Sequence, residues 1–185
     1  TGKQDQMGTV RAFDYDLLGR LISDSVTTLG DGVDGSVMRI DRTYEVRGMT
    51  QNITSYDAAE GGNVVNDVLM LYDQFAQLAA QYQSHAGVAS PASPGVQYGY
   101  ADGSANTVRP TLLTYPSGRN LNLDYGTAGQ TNDLLSRIGS LIDNDGSTHL
   151  ADYTYVGMNR IAQINSPQPG TMLTYIQQGR SNPPV

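Results

Sequence analysis

The chain has 185 residues, with 11 Lys and Arg against 18 Asp and Glu for a formal net charge of −7, and no Cys. An acidic chain without a basic cluster argues against nucleic acid, where Lys and Arg neutralise phosphates, and against an anionic membrane surface. No apolar run approaches the roughly 18 residues that span a bilayer, and zero Cys rules out disulfide and thiolate chemistry. With 21 Gly and 12 Tyr but 2 Phe and no Trp, the composition is that of a β array, because Tyr is a strand former with an apolar body and a polar tip. The opening TGKQDQMG is neither an initiator Met nor a signal peptide. We expect a piece of a longer protein, secreted or held at the cell surface, where a thiol-free chain fits.

In chain order, the period-two pattern of VRAFDY and the alternation after Gly19 predict two strands around a glycine turn, a hairpin unit over 9–29. A Gly/Asp loop at 30–36 follows. A second unit is expected at 37–57, with a turn from Glu45 to Gly48. After the loop at 58–63 comes 64–84, where two readings compete. Val64, Val68, Leu71, Tyr72, Phe75, Leu78 and Tyr82 sit at helical spacing, whereas alignment of Tyr72 with Tyr15 makes the segment another hairpin. The array context favours the hairpin, and Ala76, where other units carry Gly, keeps the helix open. A Pro/Ser/Gly loop at 85–95 leads to units at 95–118 and 119–142, with turn signals at Asp102-Gly103 and Pro116-Ser117-Gly118. A unit at 148–166 follows the Asn144-Asp145-Gly146 tip, and 171–185 reads as a truncated unit. The fold expected is all-β, an antiparallel hairpin array in a curved sheet.

The units share a tyrosine. Tyr15, Tyr44, Tyr72, Tyr100, Tyr125, Tyr155 and Tyr175 recur in similar settings, a period at the scale of repeat architectures. The fullest form is YDLLGRLISD (15–24): Tyr15, Asp16, two variable residues, Gly19, Arg20, then a strand. Tyr44 with Gly48 and Tyr72 with Asp73 are degenerate forms, and Gly118-Arg119 belongs to a Tyr-Pro-x-Gly-Arg variant. This pattern resembles the YD repeat of the RHS repeat family and covers essentially the whole chain. The resemblance implies a β-sheet spiralled into a hollow shell that encloses or displays another polypeptide, with the rest of that shell and its contents as partners and a weaker link to glycans. It also implies that no autoproteolytic Asp-Pro segment lies here, since the chain has no Asp-Pro pair.

Physically, one hairpin is marginal and neighbours must stack. Tyrosines at one repeating position can form a ladder, and Asp with Gly-Arg can pair neighbouring turns by charge-assisted hydrogen bonds. Tyr15, Asp16, Gly19, Arg20, Tyr44, Gly48, Tyr72, Asp73, Tyr100, Gly118, Arg119, Tyr125 and Tyr155 are thus expected to be structural. No catalytic residue, cofactor or metal site is expected. His85 and His149 read as loop residues, too few for a zinc cluster. Asp31, Asp34, Asp143 and Asp145 lack the EF-hand spacing and read as turn chemistry. Open strand edges predict self-association. Exposed Tyr faces that stack on sugars are the competing expectation.

Overall fold

The computed structural model describes residues 2–101 and 108–175. The Asp102-Gly103 turn and most of the expected last unit lie outside them. The chain divides into two units, Thr1–Val96 and Gln97–Val185. Both are antiparallel meanders. The first holds β1 (Gly2–Gln4), β2 (Val10–Tyr15), β3 (Leu21–Thr28), β4 (Arg39–Tyr44), β5 (Thr50–Tyr56), β6 (Val64–Tyr72) and β7 (Leu78–Ser84). The boundary falls inside β8 (Gly95–Tyr100). The second continues with β9 (Pro110–Thr114), β10 (Asn120–Asp124), α1 (Thr131–Leu134), β11 (Ser140–Ile142), β12 (His149–Val156), β13 (Arg160–Ser166) and β14 (Thr171–Thr174). Within each unit every strand pairs with its sequence neighbours. The chain is all-β and antiparallel, as the period-two pattern predicts.

Residues 64–84 form the hairpin and not the helix. Leu71 pairs with Ala80 and Tyr72 with Leu78 around the turn. The helical spacing is a coincidence of a nine-residue apolar strand followed by a partly apolar one. Array context prevails because β6 gains a full ladder of backbone bonds with β5 on its other side, which a lone helix at this position would forfeit. Two elements go beyond the expected hairpins. β1 precedes the first expected unit, and α1, with no side-chain cap, interrupts 119–142 between β10 and β11.

The turns explain the glycines. Asp5–Thr9, Asp16–Arg20, Glu45–Met49, Asp73–Gln77 and Tyr115–Arg119 close with the same two backbone bonds. The first residue's N–H donates to the fifth residue's carbonyl, and the fourth residue's N–H donates back to the first. The fourth residue is left-handed each time: Gly8 at φ 85°, Gly19 at 77°, Gly48 at 94°, Gly118 at 81°, and Ala76 at 66°. A Cβ in that region is strained. Ala76→Gly is therefore expected to stabilise the first unit by about 1 kcal/mol, read as a raised urea midpoint. An unchanged or lower midpoint would contradict it.

The sheets have little to bury. Among the described residues, the buried apolar side chains are Ala80, Tyr82, Ala89 and Tyr125. In the first unit, one face carries a polar row across six strands: Asp14, Ser23, Asp41, Thr54, Asp67 and Ser84. The second unit has a similar row, Asp124, Ser140, Asp152 and Asn165. Its opposite face is apolar. Tyr98, Leu113 and Leu121 face one another, as do Leu123, Leu141 and Ala151, then Tyr153, Ile164 and Leu173. Side chains two apart on a strand share a face, so these rows join. Among the described residues no second layer belongs to either meander, since α1 has only 4 residues.

Candidate functional site

With so thin a core, the hairpins need another means of holding register, and the tyrosine edge supplies it. The carboxylate after the tyrosine builds the turn. Asp16 Oδ1 accepts the N–H groups of Leu18 and Arg20, both at 2.9 Å, and its Oδ2 takes Arg20 Nε at 2.7 Å. Asp73 repeats this with Phe75 and Gln77, and Asp5 with Met7 and Thr9. Glu45 does the same with Arg47. The Asp16–Arg20 pair lies within one turn, contrary to the expected pairing between turns. The inter-turn form occurs at Arg119, whose guanidinium binds Asp143 twice, at 2.9 and 3.0 Å. The Asp5 turn has no tyrosine and escapes the repeat search. Its signal was the Asp-x-x-Gly spacing shared with Asp16 and Gly19.

The tyrosine joins one hairpin to the one before it. Tyr44 donates its hydroxyl to Leu21 O at 2.8 Å, Tyr72 to Thr50 O at 2.8 Å, Tyr125 to Pro110 O at 2.8 Å and Tyr155 to Ile138 O at 2.7 Å. One register rule covers all four. The residue three before each tyrosine pairs with a residue on the preceding strand: Asp41 with Ser23, Leu69 with Asn52, Asn122 with Leu112, Asp152 with Ser140. The accepting carbonyl lies two residues before that partner. Where the preceding tyrosine is itself paired, it faces the same residue: Tyr15 faces Leu21, Tyr44 faces Thr50 and Tyr100 faces Pro110. A register shift sits at each of these pairs, so a bulge turns the tyrosine toward its neighbour.

An arginine completes most locks. The residue just before the accepting carbonyl stacks its guanidinium on the ring: Arg20 on Tyr44 at 4.3 Å, Arg109 on Tyr125 at 4.4 Å, Arg137 on Tyr155 at 4.6 Å. The position serving Tyr72 is Met49, and there Arg47 reaches Asp73 O instead, at 2.6 Å. Arg109 and Arg137, which sequence reading did not single out, act through these contacts. Each has no Gly beside it, so the Gly-Arg signal is missing. Burial raises the Tyr125 and Tyr155 phenols above their ordinary value, against the opposing charges of Arg109 and Arg137. Tyr100 ends β8 half-buried. Gly118 and Arg119 lie at the opposite edge of the second meander from Tyr100, Tyr125 and Tyr155. The β9–β10 turn alternates with the connections after β8, β10 and β12, so the Tyr-Pro-x-Gly-Arg variant closes its turn on the other edge of this meander.

Asp67, also unremarked in the sequence, is the most buried polar side chain at 1% exposure. It accepts Thr54 Oγ1 at 2.7 Å, Ala89 N at 2.8 Å and Asn52 Nδ2 at 3.3 Å. A lone acid in the apolar strand VVNDVLMLY was the available signal. In the second unit Asp152 binds both Ser140 Oγ at 2.8 Å and His149 Nδ1 at 2.5 Å. Nucleophile activation needs the imidazole between serine and acid; here the acid lies between them. Among the described residues no group of three His, Cys, Asp or Glu could hold a metal, and no helix is long and apolar enough to cross a membrane. His85 is exposed, and Asp34 caps its own turn at Ser36.

The turn carboxylates set the pH response. Asp16 is lowered chiefly by the Arg20 N–H, Asp133 by the Gly129 N–H and then Arg109, and Asp143 by Arg119. The Thr148 hydroxyl and N–H bring Asp145 to about 2. At Glu45 burial raises the value, but Arg47 and two N–H donors outweigh it. Folded values below the unfolded ones contribute stability that is fully present above the unfolded range. That stability is lost as pH falls through the folded values. Urea midpoints are expected to be level above about pH 5 and to fall steadily toward about pH 2. A flat profile across that window would contradict the assignment.

Compared with known families, no family model matches the chain, and among curated proteins none matches it.

Proposed function

We propose that this chain is a structural segment of a larger secreted or cell-surface shell of the RHS or YD-repeat kind, whose wall encapsulates or displays another polypeptide. The observation that carries the reading is the repeated lock. Tyr44, Tyr72, Tyr125 and Tyr155 spend their hydroxyls on the preceding hairpin, and three of the four also hold an arginine on the ring. Residues so committed build wall and are not free to bind substrate. The apolar face of the second meander supports the same reading, since a sheet face of this kind favours apolar cover. In this role the chain carries no catalysis and needs no cofactor. Its partners are the remainder of the parent chain and the enclosed polypeptide, and free strand edges allow self-association.

A carbohydrate-binding or adhesion module is the second reading, favoured by the exposed rings of Tyr115 and Tyr175, at 40% and 62%. A glycan array with sedimentation on the same sample separates the two. The wall reading expects no saturable glycan binding and a mass that rises with concentration. Saturable binding lost on Tyr115→Ala or Tyr175→Ala would replace it with the adhesion module.

A further inference from the structure

Arginine in this chain is nearly always engaged by the chain itself. Arg11, Arg20, Arg39, Arg47, Arg109 and Arg119 each hold a carboxylate. Arg137 holds Asn132 and two carbonyls, and Arg160 is exposed. Arg42 differs from all of these. It stands within β4 and is only partly exposed. Among the described residues no side chain or carbonyl accepts from it, and its Nη1 is buried without a partner. Its Nε and Nη2 also lack an acceptor but are not buried. The register gives its surroundings. Arg42 pairs with Ile53, which pairs with Val68, and Ile40 lies two residues earlier on the same face. The acid on that side is Asp24, opposite Ile40. Arg11 already binds Asp24 twice, through Nε at 2.9 Å and Nη2 at 2.6 Å. A partly desolvated cation without a counter-charge costs stability, so holding the fold does not explain Arg42.

We propose that Arg42 is the docking point for an acidic side chain of another polypeptide, laid on this face of the first unit. The carboxylate takes the Nε–H and Nη2–H groups side-on. Arg11 gives Asp24 that geometry, and Arg119 gives it to Asp143; these are the two nitrogens that Arg42 leaves open. Apolar residues flanking the acid cover Ile40, Ile53 and Val68. Charge and spacing select this occupant. One free cation matches one negative charge, whereas a phosphate dianion would bring a second charge toward Asp24. An extended segment turns every second side chain to one side, so the pattern apolar-x-acid-x-apolar fits a cation set among isoleucine and valine. The planar fork of arginine suits a carboxylate bound through two parallel bonds. The inference rests on the unpaired guanidinium and holds whether or not the chain is shell wall.

The test adds three probes to the 185-residue chain: the pentapeptide acetyl-Val-Ser-Glu-Ser-Val-amide, its Gln match, and inorganic phosphate. The readout is the Arg42 Nε–H resonance, assigned through Arg42→Lys. The Glu peptide is expected to shift it saturably, the Gln peptide to bind about tenfold more weakly, and phosphate to leave it unmoved. Arg42→Met should keep or raise the urea midpoint and should erase the difference between the peptides, followed on the Ile53 and Val68 methyl resonances. No shift with the Glu peptide, equal binding of both peptides, tighter binding of phosphate, or a lowered Arg42→Met midpoint each overturns the proposal. So does a dimer in sedimentation that Arg42→Met dissolves, since the occupant would then be a second copy of this chain. The peptide comparison uses the unaltered chain and stands whatever Arg42→Met does to folding. No outcome here depends on glycan binding, so this site and the wall reading fail separately.

Discussion

Tyr125→Ala is expected to lower the unfolding free energy of the Gln97–Val185 unit by about 4 kcal/mol, the range for truncating a buried aromatic. Three losses combine. A 6%-exposed ring leaves a cavity in a unit with almost no other apolar core. The Pro110 carbonyl loses its donor. Arg109, still held by Asp133 at 2.5 Å, loses its stacking surface. Tyr125→Phe isolates the hydrogen bond and should cost about 1 kcal/mol. Urea denaturation of the three proteins checks the order. A cost for Tyr125→Ala below that of Tyr125→Phe would mean that the lock does not hold the second meander together. Tyr15→Ala is the internal comparison: the same residue in the same repeat position, unlocked, should cost under about 1 kcal/mol.

Asp67→Ala is expected to cost the first unit about 3 kcal/mol. The carboxylate gathers donors from two places, Thr54 and Asn52 on β5 and the Ala89 N–H in the 85–94 loop. Removing it strands them, and each buried unsatisfied donor costs roughly 1–3 kcal/mol. Asp67→Asn keeps two acceptor lone pairs and should cost about half as much. The distinguishing readout is local. Ala89 is itself buried at 5%, so its amide should exchange quickly in Asp67→Ala while the β4–β5 amides remain protected. Uniform loss of protection would instead assign Asp67 a global role. At the connection after β5 the clamp is a cation instead: Arg39 on β4 donates to Ala59 O and Gly61 O, both at 3.0 Å, while Asp57 caps Asn63 within the loop itself.

The two predictions concern residues of opposite legibility. Tyr125 could be read from the repeat, because a tyrosine returning near every 28 residues needs a repeating partner. That partner, a carbonyl two residues before a register-paired neighbour, is a backbone atom and leaves no trace in sequence. Asp67 has counterparts in Asp41 and Asp152, which accept the hydroxyls of Ser23 and Ser140 as Asp67 accepts that of Thr54, but its burial depends on a loop folding over it.

What the sequence by itself determined is local. Period-two alternation specified the strands, since alternate side chains must share a face. Glycine at the fourth turn position specified hairpins, since the backbone needs positive φ there. The carboxylate three residues earlier specified the turn's own hydrogen bonds. Tertiary structure decided what lies between hairpins. Residues 64–84 could satisfy either period, and only ladder bonds from β5 made them strands. Arg109 and Arg137 became stacking partners through chain pairing and not through a Gly-Arg signature. The placement of Gly118-Arg119 at the far edge followed from meander parity. A side chain's reach within a turn is set by neighbours in sequence, whereas its reach across strands is set by register, and register exists only once the sheet has formed.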